Sequence, residues 1–158
     1  MDTQTHSREL TLTRIFNAPR ETVFAAWTEP KGLAQWFGPR GFTIPVCTVE
    51  ARVGGEMHLV MRANDEIAAA IGSRDHPVHC VFKEFEKPSR LGFTNNAVDG
   101  DGNVILEAYT TVTFEAQDGK TKMTFHTKAH GKGGQVAMML QGMEQGWSES
   151  LDKLAEIL

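Results

Sequence analysis

Glu84 is the first residue whose placement invites chemistry. It lies in the stretch Val78 to Phe85, which alternates like a strand, in register with Cys80 and Phe82. If Cys80 and Phe82 face an interior space, so does Glu84, near its end. A carboxylate there can hold a polar group of a ligand. Its pKa can also rise with burial until it serves as an acid or base. The competing reading is a salt bridge to Arg62, Arg90 or another nearby base. The six histidines are His6, His58, His76, His79, His126 and His130. Zinc needs three or four converging ligands. His76 and His79 have Asp75 and Cys80 beside them, but adjacent strand residues such as His79 and Cys80 point to opposite faces. No metal site is expected. Asp99, Asp101 and Asn103 match the opening of a calcium loop. The bidentate acid is missing, with Thr110 and Val112 in its region, and no glycine follows where one is required, so a polar turn is expected. No Gly-x-Ser-x-Gly elbow, phosphate-binding loop or dinucleotide fingerprint occurs, and Ser73, Ser148 and Ser150 have no evident base. No cofactor is expected.

The remaining candidates are apolar. Trp36, Phe37, Met57, Met61, Phe82, Phe93, Met143 and Trp147 can line a pocket, because aromatic rings and thioethers adapt to irregular apolar ligands. The same residues also suit an ordinary packed core. Gly142 and Gly146 stand inside a helical stretch, where each costs roughly 1 kcal/mol relative to alanine. Such a cost calls for a reason, such as a close backbone approach or a kink that shapes a cavity.

The stretch that must carry them runs from Gly134 to Leu158. Val136, Leu140, Met143, Trp147, Leu151, Leu154 and Leu158 recur at helical steps and form one apolar stripe. A single helix of that length spans about 37 Å. Met138 falls opposite the stripe, as an exposed residue or a subunit contact. Upstream, Arg8 to Phe16 reads as a strand on which Arg14 and Ile15 dispute the inner face. Pro19 suits the first turn of a short helix ending near Thr28, and Lys31 to Trp36 forms a second. Six strands follow: Thr43 to Arg52, the stretch around Met57 to Met61, Val78 to Phe85, Leu91 to Thr94, Val104 to Glu115, and one through Met123, Phe125 and Thr127. Asn64 to Pro77 holds a helical turn at Ile67 to Ile71 and is otherwise loop. Asn95 to Asn103 reads as a turn. The expectation is an α+β fold in which a curved antiparallel sheet wraps a long C-terminal helix, with two short helices after the first strand. Residues 1–7 form a flexible N-terminus and 8–158 one domain.

Composition bounds the function. The net charge of −4 argues against a nucleic-acid partner, since phosphate binding needs a basic excess. Lys120, Lys122, Lys128 and Lys132 fit a solvated strand edge. No run is long enough to span a membrane, and the polar start lacks an apolar signal core. Cytoplasmic localisation is expected, with Cys47 and Cys80 as thiols on strands.

Several stretches resemble one family. They are Thr13 to Arg20 (TRIFNAPR), Ala26 to Pro30 (AWTEP), Trp36 to Pro39 (WFGP), Arg52 to Gly55 (RVGG), Phe82 to Phe85 (FKEF), Pro88 to Thr94 (PSRLGFT), and Gly146-Trp147 through Leu151 to Leu154 (LDKL). In this order and spacing the chain resembles the homologues of the activator of heat-shock protein 90 ATPase, within the START-like (SRPBCC) superfamily. The resemblance runs from about Arg8 to Leu158. It implies a helix-grip fold with a hydrophobic cavity between the sheet and the C-terminal helix. Superfamily members bind lipids, polyketides or hormones, and some are enzymes. The named chaperone activity belongs to larger proteins with an additional N-terminal domain, which these residues do not include. Relatives join the third and fourth strands by a compact turn with a Tyr-Pro pair. Here Asn64 to Pro77 is longer, either as a cap on a cavity mouth or as a passive loop.

Three functions follow as expectations. The first is ligand binding: a small apolar or lipid-like molecule in a cavity walled by Trp36, Phe37, Met61, Phe82, Phe93, Met143 and Trp147, with Glu84 as polar anchor. The second is an interaction module that contacts a chaperone. The third is an enzyme that uses the same cavity for proton transfer. A homodimer stays open.

Overall fold

The computed structural model describes residues 4–99 and 101–158. In chain order the elements are β1 (Thr5–Phe16), α1 (Arg20–Thr28), α2 (Pro30–Trp36), β2 (Phe42–Val49), β3 (Glu56–Ala63), α3 (Asp65–Ile71), β4 (Asp75–Glu86), β5 (Arg90–Val98), β6 (Val104–Gln117), β7 (Lys120–Lys132), α4 (Gly134–Gln141) and α5 (Met143–Ile157). The strands form one curved antiparallel sheet in the order β1-β7-β6-β5-β4-β3-β2, so β2 to β7 is a meander and β1 closes beside β7. The fold is α+β of the helix-grip type, with the two short helices after the first strand where the sequence places them.

Local chemistry explains the boundaries. Glu29 ends α1, and Pro30 opens α2 at the one helical position where a missing N–H costs nothing. The Asn64 side chain caps α3 by accepting from the Ile67 amide, and Gly72 ends it in the left-handed region at φ 82°. This helix starts two residues before the expected turn. β4 then begins at Asp75 and takes in Pro77, opposite Val60 on β3. β1 starts at Thr5, paired with Lys132, so it enters the stretch expected to be flexible; residues 1–3 lie outside the described set. β5 continues past Thr94 to Val98, which shortens the expected turn; Gly100 within that turn also lies outside the described set. There the Asp99 carboxylate accepts from the backbone amides of Asp101 and Asn103, each at 2.9 Å, and so closes its own turn.

The largest departure is at the C-terminus. The expected single helix is two helices, broken at Gly142 (φ −85°, ψ −3°). Arg8 on β1 holds the break. It donates to the carbonyls of Leu140 (2.8 Å) and Gln141 (3.3 Å) in the last turn of α4, and it pairs with Glu144 in the first turn of α5 at 2.9 Å. Arg14, not Ile15, takes the inner face of β1 and pairs with Asp152 at 2.6 Å, while Ile15 is 52% exposed.

The apolar stripe still does most of its expected work. Leu151 and Leu154 are fully buried on the sheet, in one cluster with Phe16, Phe24, Trp27, Trp36, Phe82, Phe93, Phe114 and Phe125. A second, smaller cluster joins Val136 and Leu140 of α4 to Ala108 and Ala129 of the sheet.

Candidate functional site

An open cleft of about 450 Å³ lies between the inner face of the sheet and the broken helix. Four strands send one or two residues each to it: Met61 from β3, Val78 from β4, Asn95 and Ala97 from β5, Leu106 from β6. Met138 and Met139 come from α4, and Met143, Gly146, Trp147 and Ser150 from α5 beyond the break at Gly142. The loop after α2 adds Phe37, Pro39 and, at the start of β2, Phe42, and α3 adds Ile71 at the mouth. Trp147 is fixed edge-on by Phe37, with ring centroids 5.6 Å apart, and lies against Phe125 at 4.5 Å.

Four of the eight residues singled out from the sequence line this cleft: Phe37, Met61, Met143 and Trp147. Trp36, Met57, Phe82 and Phe93 do not. They are buried in the packed core, where Trp36 donates its indole N–H to the Ala26 carbonyl (2.9 Å) and meets Trp27 edge-on at 4.6 Å. Phe82 and Phe93 pack edge-to-face at 6.1 Å.

Glu84 is corrected outright. A register shift between Phe82 and Glu84 inserts Lys83 as an extra residue. The bulge reverses the alternation, so Phe85 turns inward onto Phe24 and Phe82, and Glu84 turns to the outer face opposite Gly92. There Arg90 donates to Oε1 and the Tyr109 hydroxyl to Oε2, both at 2.8 Å. The Arg90 bond, helped by Tyr109, holds the Glu84 carboxyl below its ordinary value, the opposite of what an acid catalyst needs. The Tyr109 hydroxyl, desolvated and bonded to Glu84, is pushed up to about 12. Gly92 is what makes room: a Cβ there would meet Glu84 Oε2 at 2.3 Å and the Tyr109 hydroxyl at 2.6 Å. The salt-bridge reading of Glu84 is the one that holds.

Among the described residues, no side chain lining the cleft carries a carboxylate, an imidazole or an amine. Its polar side chains are three: Trp147, whose indole carries one N–H donor, Ser150 and Asn95. Ser150 donates to the Gly146 carbonyl at 3.0 Å. Asn95 Oδ1 accepts from the Thr110 hydroxyl at 2.8 Å, and the hydroxyls of Thr110 and Thr127 are bonded at 2.9 Å, both residues being fully buried. The sequence reading places Asn95 in the turn Asn95 to Asn103, whose signal is Asp99-Gly100-Asp101-Gly102. The continued alternation Phe93, Asn95, Ala97 is the signal that could have placed it. On a continuous helix Met138 falls opposite the apolar stripe. The break at Gly142 brings α4 to the cleft mouth, where Met138 is 73% exposed and Ile71 54%.

One further cluster lies on the outer face. His58 and His79 are direct cross-strand partners on β3 and β4, with rings stacked 4.5 Å apart. His79 bonds Glu56 Oε1 at 2.7 Å, and His58 Nε2 stands 3.9 Å from the same oxygen. The three ligand atoms lie within 4.8 Å of one another. A structural zinc site takes four ligands, and this group offers three, of which Glu56 and His79 are already hydrogen-bonded to each other. Burial raises both thiols: Cys80 strongly, with Cys47 adding to it, and Cys47 through its own half-burial. Both are free.

Comparison with known proteins places this geometry. The family described as Activator of Hsp90 ATPase homolog 1-like protein matches residues 17–158. No curated protein matches. Among solved structures, a protein from Rhizobium leguminosarum superposes with a TM-score of 0.77 at 26% identity, over 96% of this chain and 94% of its own. A Chromobacterium violaceum protein gives 0.76 at 25% identity, over 94% and 95%. The AHSA1 protein from Silicibacter pomeroyi gives 0.74 at 27% identity, over 94% and 96%. No helix among the described residues is long and apolar enough to cross a membrane.

Proposed function

The chain belongs to the Activator of Hsp90 ATPase homolog 1-like family, and from that premise we propose that it binds a small apolar molecule in the cleft between the sheet and helices α4 and α5. The supporting observation is the lining itself. Met61, Met138, Met139 and Met143 face the same space as Phe37, Phe42 and Trp147, with no ionisable group among them. Thioethers and rings of this kind accommodate apolar surface without demanding one shape. The volume lies in the range of roughly 300–1,000 Å³ typical of small-molecule sites. Neither a nucleic acid nor membrane insertion enters this reading. Two neighbouring thiols left free suit a reducing compartment, and the cytoplasm is the proposed location.

Fluorescence titration with the uncharged probe N-phenyl-1-naphthylamine tests the proposal. The wild type is expected to bind one probe saturably. Met143→Trp fills the wall and is expected to weaken binding by roughly tenfold or more, with circular dichroism unchanged. A folded Met143→Trp protein with wild-type affinity refutes this wall as the site. Native mass spectrometry of the purified protein, followed by extraction, identifies a co-purifying compound.

A second reading is contact with another protein, either a chaperone of the kind the family is described by or a second copy of this chain. It is favoured by the exposed apolar rim at Met138 and Ile71. Addition of the protein to a chaperone ATPase assay, and its sedimentation as a function of concentration, read these two outcomes. The proton-transfer reading, which calls for Glu84 or a histidine as acid or base, is not favoured by this cleft: Glu84 lies on the far face of the sheet, and no histidine is among the described residues that line the cleft.

A further inference from the structure

Counting the hydrogens along one buried chain of polar groups specifies the ligand further; the inference rests on the binding reading above. Thr127, Thr110 and Asn95 are linked in series on the inner face, and each hydroxyl has one hydrogen to give. An asparagine amide can sit in two orientations, which its partners distinguish. With Oδ1 toward Thr110, the Thr127 hydroxyl donates to Thr110, Thr110 donates to Asn95, and every buried hydrogen is used. With the amide reversed, its N–H donates to Thr110 and Thr110 donates to Thr127. The Thr127 hydrogen is then left without an acceptor, because among the described residues Thr127 has no other side-chain partner and it is fully buried. Buried polar groups in folded proteins are paired, so the first orientation holds. It leaves the Asn95 amide NH₂ as the end of the chain, at a residue lining the cleft. Among the described residues lining the cleft, Ser150 is committed to the Gly146 carbonyl, and the other donor, the Trp147 indole N–H, stands on the helix wall rather than on the sheet with Asn95.

We infer that the cleft selects a neutral apolar molecule carrying one hydrogen-bond acceptor, such as a ketone or ester oxygen, which takes its hydrogen bond from Asn95. A carboxylate finds no cation in the lining, and an ammonium finds no anion. Either would be desolvated without a partner.

Two naphthalene probes test this. One is 6-propionyl-2-(dimethylamino)naphthalene, a ketone whose emission reports hydrogen bonding at its carbonyl. The other is the 6-propyl analogue, which lacks the oxygen. The wild type is expected to bind the ketone about five- to tenfold more tightly, the ratio of one net hydrogen bond. Asn95→Leu should erase that preference, keep the affinity for the propyl analogue, and shift the bound ketone's emission to the blue. Thr110→Val keeps the amide but frees its orientation, and should reduce the preference in part. It also decides the matter if Asn95→Leu does not fold. Equal affinity for the two probes in the wild type, a preference untouched by both variants, or tighter binding of decanoate than of the ketone overturns the inference while the cleft reading stands. Failure of the wild type to bind either probe overturns the cleft reading, and this one with it.

Discussion

Replacing Gly146 by alanine and by leucine separates what the helix wants from what the cleft wants. Gly146 is interior to α5, where its amide bonds the Gly142 carbonyl at 2.9 Å. Glycine at such a position is about 0.8–1.0 kcal/mol less favourable than alanine. An added Cβ would meet nothing nearer than Pro39 Cγ at 3.9 Å, an ordinary contact, so no strain offsets the gain. Gly146→Ala is therefore expected to stabilise the fold by about 1 kcal/mol, or roughly 2–4 °C in Tm for a chain of this size. Its methyl enters the cleft and removes room for about one ligand CH₂, worth about 0.8 kcal/mol or fourfold in Kd. Gly146→Leu adds four carbons. Long side chains on a helix lean toward its N-terminus, here toward Met143 and the Gly142 break. Displacing four probe carbons weakens binding by roughly 3 kcal/mol, more than a hundredfold, if the probe cannot slide. If it can slide, about tenfold remains. Urea denaturation reads stability and N-phenyl-1-naphthylamine titration reads binding. A folded Gly146→Leu protein with wild-type probe affinity refutes the site. A Gly146→Ala protein that melts below the wild type refutes the claim that the space beside Gly146 is open.

Two other outcomes follow from the titrating groups. Glu84 has a lowered pKa, so its contribution to stability is fully present above the unfolded carboxyl value of about 4.3 and is lost as pH falls through its folded value. Glu84→Gln should therefore cost stability near pH 7 and cost progressively less below pH 4. With its side chain 37% exposed, the effect is under about 1 kcal/mol, and probe binding is unchanged. A variant whose deficit grows in acid contradicts the assignment. Burial raises both thiols, Cys80 most, so iodoacetamide at pH 8 should modify Cys47 slowly and Cys80 only after unfolding, a difference of roughly tenfold or more in rate. Equal rates in the native protein would contradict the placement of Cys80.

The sequence carries those features that repeat. Leu151 and Leu154 sit at zero exposure because the helical period states which face is buried. Val112, Phe114, Met123 and Phe125 are likewise buried because strict alternation states the inner face of a strand. Features made by a single residue out of period were not legible. Lys83 is one residue too many on β4, and nothing in its type announces a bulge, yet it carries Glu84 from one face of the sheet to the other. Pro77 lies inside a strand, paired with Val60 on β3 but not with β5, and its missing N–H argues for a loop, so the sequence reading begins β4 one residue beyond it. Asn95 is polar at an inward position, which only the hydroxyls of Thr110 and Thr127 make tolerable. Those partners lie 15 and 32 positions away in the chain.

The break at Gly142 was half legible, and it matters most for the cleft. Two glycines four apart in a helix announced a cost with no stated return. The structure supplies two separate returns. At Gly146 the return is space, since the missing side chain leaves cleft volume. At Gly142 a side chain would find room, with only the carbonyls of Met138 and Met139 near, at 3.9 Å. Its return is therefore not space but a weak point in the helix. Arg8 holds the chain at that point, by taking the carbonyls of Leu140 and Gln141 and the carboxylate of Glu144 at once. A straight helix would bond those carbonyls internally and leave Arg8 with Glu144 alone. The guanidinium thus competes with helix continuation for the same acceptors. The outcome sets Met138 and Met139 at the mouth of the cleft rather than behind it. The apolar wall of the site is in this sense positioned from the edge strand β1, through a residue that lies outside the cleft lining.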